Sequence, residues 1–483
     1  MNLGVISRNV GIALISTAAF MLLSAGVAAI YDFDSSFSPL LFSGVITALV
    51  GAFPLIFVRS HKDINTREGL AILLFSWLFC CIFSMLPYVL WGGEFTVANA
   101  WFESASGITT TGATILDDVE SLPKGLIFWR SSTHYIGGLG VVVFILMIIP
   151  SIGTVRFRMS RMDVEDVSKN NYQYKSNKFI KVVVTVYLGI TVAAIVLLTL
   201  AGMPFFDAVN HAFSVTATGG FSTRNTSIAS FNSVLIENIL AVLMIVASLH
   251  FGLIYASFAG RNFKVFQNPV TKFYLSSILL CSLLVAINLT ATGGYGTVWN
   301  VIRTAFFTVI STISTTGFAI TDTNTFPIFS ILILLWASIQ CGCSGSTTSG
   351  IRSDRVWILF KASRAQLVKI AHPNAVVQTK SGGQVIDRDL YTSISIYVLI
   401  YLFMVFICAL AYAAMGYDLL SSLGTSISMM SNVGPAFGQY GTSMGSFSAA
   451  PEISKFLMGF QMIVGRLGVY SVLSIFILFR RKG

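Results

Sequence analysis

The sequence predicts an all-α polytopic membrane protein: four pseudo-symmetric helix, re-entrant pore loop, helix repeats around a central pore, preceded by an extra N-terminal two-helix hairpin. Three observations predict it. Only 10% of the 483 residues are charged and 55% are hydrophobic, whereas an ordinary soluble domain is about 25% charged; the mean hydropathy is +0.79. Apolar stretches long enough for a hydrocarbon layer of ~30 Å, roughly 20 residues each, recur ten times, near 10–30, 38–58, 69–91, 126–150, 179–202, 233–258, 273–292, 327–350, 391–415 and 456–479. A glycine-centred pattern then recurs four times between these stretches.

Residues 1–62 are the hairpin. Arg8 followed by an apolar run has some features of a cleaved secretory signal. The run is longer than a signal core and leads through an acidic turn straight into a second span, which favours an anchor. The repeats follow as 63–160, 161–262, 263–370 and 371–483. Basic residues collect in alternate connections: Arg59, Lys62 and Arg67; Arg156, Arg158, Arg161, Lys169, Lys175 and Lys178; Arg261, Lys264 and Lys272; Arg352, Arg355, Lys361, Arg364, Lys369 and Lys380; and Arg480, Arg481 and Lys482. The opposite connections hold Asp32, Asp34, Glu94, Glu103, Asp117, Asp118, Glu120, Asp207, Asp322 and Asp418. The positive-inside tendency makes the basic side and both termini cytoplasmic. So distributed, the net charge of +10 is a topology signal and a surface for anionic lipid, not a nucleic-acid footprint.

The repeat is read by aligning "SGITTTGAT" at 106–114, "SVTATGGFS" at 214–222, "STISTTGFA" at 311–319 and "SMMSNVGPA" at 428–436. Ser106, Ser214, Ser311 and Ser428 each stand six positions before Gly112, Gly220, Gly317 and Gly434. Before each glycine lies a half-apolar stretch too short to span, which reads as a helix that dips in and returns. Each unit crosses twice, so consecutive units share one orientation and four of them can surround an axis along the membrane normal.

Non-helical backbone at membrane depth is tolerated only where it is buried in protein or lines a watery cavity. Around an axis its carbonyls become a substitute hydration shell for a cation, ring upon ring. The candidate ligand positions are Thr110, Thr111 and Gly112; Thr218, Gly219 and Gly220; Thr315, Thr316 and Gly317; and Asn432, Val433 and Gly434. Glycine suits a crowded axis and backbone angles that a Cβ opposes. The C-terminal ends of the dipping helices, each carrying about half a negative charge, favour a cation there.

With these loops, and with "TATGGFST" and "ISTTGF", the chain resembles the Trk, Ktr and HKT cation transporter superfamily over essentially its whole length, and within it the bacterial potassium uptake subunits. The resemblance implies a potassium site shaped by Gly112, Gly220, Gly317 and Gly434. K+ is then the transported ion, with Rb+ also passing, and no covalently bound cofactor is implied. Some plant relatives carry Ser at the first of these positions and favour sodium; Gly112 ties this chain to potassium. A homodimer in the bacterial inner membrane and a cytosolic nucleotide-binding regulatory ring of the TrkA kind are implied too. The fourth loop departs most, at Asn432, Val433 and Pro435.

Two features interrupt the inner half of the pore. "QCGCSGSTTSG", residues 340–350, has no aliphatic or aromatic side chain and poor helix propensity. It reads as an intramembrane loop able to narrow the conduit, with Gly342, Gly345, Ser346, Thr347 and Gly350 as gate positions; a small-residue packing face is the alternative. Arg466 lies in an apolar span, where a charge costs about 2.5–3.5 kcal/mol, so it faces an aqueous cavity or a partner such as a backbone carbonyl of the broken helix. "GRLGV" at 465–469 parallels "GGLGV" at 137–141, and the resemblance implies a pore-facing Arg that acts with the loop as a barrier.

The six cysteines fall within or beside spans and suggest no disulfide framework. His134, His211 and His250 admit a membrane redox subunit, but no shared spacing supports paired haem ligation, and packing is the simpler reading. No P-loop, nucleophile triad or metal cluster is present in the sequence, so an enzyme is not expected. The expected function is potassium uptake gated from the cytoplasm, the alternative being strict coupling to protons or sodium.

Overall fold

The computed structural model describes residues 2–59, 65–148, 176–260, 264–374, 378, 380–381, 384–386 and 388–478. Lys62, Arg156, Arg158, Arg161, Lys169, Lys175, Arg261, Arg480, Arg481 and Lys482 lie outside the described residues.

The hairpin is Leu3–Ile30 and Phe37–Phe57. Its helices touch backbone to backbone: a Cβ on Gly11 would stand 2.4 Å from the Gly51 carbonyl oxygen, the small-residue contact by which helices approach closely in lipid. Arg8 donates to the carbonyls of Leu55 at 2.9 Å and Val58 at 2.6 Å. It therefore satisfies the C-terminal end of the second helix, where a cation is favoured. Asp34 at the turn accepts from the Gly125 amide at 3.0 Å and ties the hairpin to the first repeat.

Each repeat opens with a helix: Thr66–Ser84 continued by Leu86–Trp91, then Ser176–Leu200, Pro269–Thr292 and Arg388–Ala414. A short pore helix follows in each: Val97–Ile108, Phe205–Thr216, Val298–Ile313 and Leu419–Ser431. At 1.5 Å per residue these 12 to 16 residues fall short of the membrane thickness, and each ends in a glycine loop. Polar N-caps mark where three of them begin: Thr96, Thr297 and Asp418 accept from Asn99, Asn300 and Ser421.

Two of the inner helices differ from the continuous spans expected, the second and the fourth. Lys124–Ile148 is unbroken, but Val234–Ala247 meets Phe251–Ala259 at an angle of 99°. Ile328–Gln340 stops where residues 340–350 were expected to interrupt the span read as 327–350, and the chain resumes as Ser353–Ala371. Glu452–Leu467 and Val469–Leu478 meet at Gly468, whose φ is +81°. Hydropathy registers side chains and is blind to backbone breaks. Among the described residues, six helices are long and apolar enough to cross a membrane, or seven if the bent pair is one span. The third and fourth repeats are joined through a small antiparallel ladder pairing Lys380 with Val385 and Ser381 with Gln384. All six cysteines are buried, and none forms a disulfide among the described residues.

Candidate cation-binding ring and gate

Every pore helix ends in the same way. In the first, the Thr110 amide donates to the Gly107 carbonyl and the Thr111 amide to the Ser106 carbonyl; the same pair of bonds joins Thr218 to Val215 and Gly219 to Ser214, Thr315 to Thr312 and Thr316 to Ser311, and Asn432 to Met429 and Val433 to Ser428. This is the Schellman termination, which requires a left-handed residue just past the helix. Thr110, Thr218, Thr315 and Asn432 take that position with φ of +53°, +53°, +56° and +56°. The spacing of Ser and Gly thus records a helix end: the serine supplies the carbonyl that the loop amide caps. A β-branched residue at positive φ is an outlier, whereas Asn tolerates it. The fourth loop, divergent in sequence, shares the backbone of the other three.

The four loops close on one another in order. A Cβ on Gly112 would stand 2.0 Å from the Gly219 carbonyl oxygen, on Gly220 2.0 Å from that of Thr316, on Gly317 2.2 Å from that of Val433, and on Gly434 2.4 Å from that of Thr111. Each glycine therefore lies against the carbonyl of the residue preceding the next repeat's glycine, and the fourth returns to the first. All four also have positive φ, between +80° and +100°. A closed circuit of this kind needs a common axis.

Beneath the ring, residues 341–352 are non-helical and largely buried. Gly345 and Gly350 have φ of +75° and +74°. The loop takes its partners from other repeats: the Cys343 amide donates to the Ser248 carbonyl and the Phe251 amide to the Gly345 carbonyl, each at 3.0 Å, so two broken helices satisfy each other. The Thr347 hydroxyl reaches the Thr216 carbonyl at 3.2 Å and lies 3.3 Å from the Thr218 hydroxyl. Ser346 bonds within the loop, to the Cys343 carbonyl at 2.6 Å. Gly342 packs against Thr348 and Ser248. Arg466, 4% exposed, donates to the Thr347 carbonyl at 2.6 Å, the Ser349 hydroxyl at 2.8 Å and the Gly137 carbonyl at 3.5 Å. All four repeats meet at this guanidinium, directly or through Thr347, which puts it below the ring. The parallel between "GGLGV" and "GRLGV" also has a structural counterpart. A Cβ on Gly137 would meet the Ile108 carbonyl oxygen at 1.9 Å, and one on Gly465 that of Met430 at 2.1 Å, equivalent points of the first and fourth pore helices.

Sequence reasoning put Glu103 with the outer acidic charges; it is instead fully buried and paired with Arg130 at 2.7 Å. Arg130 drew no notice. Its signal is a charge at the outer end of an apolar span, which asks for a partner. His134, His211 and His250 make packing and hydrogen-bond contacts. His134 stacks on Phe221 with centroids 4.1 Å apart and backs Gly219; His211 bonds the Asp207 carbonyl and Ser222; and His250 caps Phe251–Ala259 by accepting from Gly252 and Leu253. Among the described residues no cluster of three or more His, Cys, Asp or Glu side chains could hold a metal.

Comparison with known proteins agrees with this architecture. Residues 40–481 match the TrkH family, described as a cation transport protein. The Trk system potassium uptake protein TrkH of Salmonella typhimurium is 29% identical over 99% of both chains, and the Trk system potassium uptake protein TrkG of Escherichia coli K12 is 33% identical over 86% of each. The crystal structure of the potassium transporter TrkH from Vibrio parahaemolyticus is similar with a TM-score of 0.90 at 28% identity, covering 99% of this chain and 100% of that one. With a closed ring of four pore loops and a family match along nearly its entire length, the chain belongs to the TrkH family of cation transport proteins, and it is a transporter rather than an enzyme.

Proposed function

We propose that this chain mediates potassium uptake across the bacterial inner membrane, with both termini cytoplasmic, through a carbonyl filter formed by Thr110–Gly112, Thr218–Gly220, Thr315–Gly317 and Asn432–Gly434. The observation that carries this reading is the cyclic contact of each filter glycine with the next loop's carbonyl. A dehydrated monovalent cation finds there one oxygen per repeat at each level. Entry is driven by the membrane potential, worth about 2.3 kcal/mol per charge per 100 mV. Gly342, Gly345, Ser346, Thr347 and Gly350 form the gate with Arg466, whose fixed positive charge beneath the ring opposes cation passage while the loop is engaged. The segments 63–160, 161–262, 263–370 and 371–483 act as four pore repeats. The working assembly is a homodimer regulated by a cytosolic nucleotide-binding ring of the TrkA kind that docks on the basic cytoplasmic face.

The test is radiolabelled rubidium uptake into proteoliposomes with competing cations. Potassium is expected to compete strongly and sodium weakly. Equal competition by the two contradicts the filter.

A further inference from the structure

The Glu103–Arg130 pair is buried, lies outside the candidate ligand positions, and is used by nothing in the proposed gating or ion coordination. The partners of Glu103 lie on the first loop and on Arg130: the Thr114 hydroxyl stands 3.1 Å from both carboxylate oxygens, the Ile115 amide donates to one at 3.1 Å, and the Arg130 Nε–H donates at 2.7 Å. The guanidinium continues outward. One nitrogen lies 3.2 Å from the Thr114 hydroxyl and another 3.4 Å from the Ser222 carbonyl on the second loop, while its carbon sits 4.1 Å from the Phe221 ring centroid. Thr114 and Ser222 each stand two residues past a filter glycine. The Thr114 carbonyl also accepts from the Phe447 amide of the fourth repeat at 2.8 Å.

The second repeat repeats half of this device. His211 occupies the place of Glu103, nine residues before the filter glycine, and contacts the Ser222 hydroxyl at 3.0 Å as Glu103 contacts that of Thr114. In the third and fourth repeats the place is held by uncharged Thr308 and Thr425. A buried ion pair is a poor route to stability, because desolvation offsets its attraction and apolar replacements are often neutral or stabilising. Its bonds here fall on the outer ends of two adjacent loops, where they restrain the spacing of the ring.

We infer that Glu103 and Arg130 are positioning residues that set ion selectivity, by bracing the first and second filter loops against widening. The inference rests on the filter reading above. Rubidium uptake into proteoliposomes, with sodium as competitor, is measured for Gly112→Ser, Glu103→Gln, Glu103→Asp, Thr114→Val and Glu120→Gln. Gly112→Ser tests the filter, and if it leaves the preference unchanged, that reading fails and the brace with it. Given a shift there, Glu103→Gln is expected to lose about tenfold in rubidium over sodium preference, the scale of one hydrogen bond to a charged group, while uptake persists; Glu103→Asp recovers part of it. Glu120, which meets Arg224 at 3.3 Å with both side chains exposed, is expected to leave the preference at the parental value on substitution, because exposed pairs are weak. Monodisperse Glu103→Gln protein with parental preference overturns the inference. Should that variant not assemble, Thr114→Val decides, since it keeps the ion pair and removes only the hydroxyl hub: a loss of preference supports the brace, and parental preference overturns it.

Discussion

The proposed filter loops and the intramembrane loop beneath them are both glycine-bearing, non-helical and buried, yet they obtain their hydrogen bonds in opposite ways. Each filter loop is capped by its own pore helix, as Thr111 is by Ser106, and its glycine touches the backbone of the next loop. Displacing one such loop strains its own repeat and its neighbour together. Residues 341–352 instead borrow much from elsewhere: the Ser248 carbonyl, the Phe251 amide, the Thr216 carbonyl and the Arg466 guanidinium. Such bonds are worth about 0.5–1.5 kcal/mol each in net terms, and water can replace them one by one. Local satisfaction suits the part proposed as a filter, which would hold its shape, and borrowed satisfaction suits the part proposed as a gate, which would move.

The largest effect comes from adding one methyl group to each kind of loop. Gly220→Ala or Gly317→Ala is expected to abolish rubidium uptake, since the left-handed backbone alone costs about 1–2 kcal/mol and the Cβ overlaps a carbonyl oxygen. Gly345→Ala drives its Cβ against the His250 ring, 2.6 Å away; it is expected to loosen the engaged loop and raise uptake. If both substitutions abolish uptake, the contrast between the loops fails. Next, Arg466→Ala is expected to raise basal uptake about tenfold, by removing both the charge and the bonds to Thr347 and Ser349. Thr347→Val removes a hydroxyl that reaches the Thr216 and Ala247 carbonyls and is expected to raise uptake about threefold. The smallest effect lies in the filter's own strain: Thr315→Asn places a tolerant residue at φ +56° and is expected to stabilise the protein by about 1 kcal/mol, read as a higher unfolding temperature. Asn432→Thr is expected to do the reverse.

The repeats were legible because serine and glycine at fixed spacing encode a helix termination that is purely local. The interruption at 340–350 was legible for the same reason: eleven consecutive residues without an aliphatic or aromatic side chain have little to pack on lipid or to favour a helix. The bend after Ala247 was hidden in an apolar run, with Ser248 and His250 as its slight marks. Glu103 was misplaced because its partner lies 27 residues away in sequence and charge alone does not reveal burial. Asn432 looked like a departure because side-chain identity was compared, while φ is what the four positions share. Its side-chain Nδ2 also donates to the Thr111 hydroxyl at 2.9 Å, a contact between the fourth loop and the first that no spacing rule announces.

The most direct test of the shared site is anomalous scattering from the protein prepared in rubidium. The account predicts a peak on the axis, enclosed by the carbonyl oxygens of Thr111, Gly219, Thr316 and Val433. A ring without such a peak, or rubidium bound only at one repeat's loop, would contradict it.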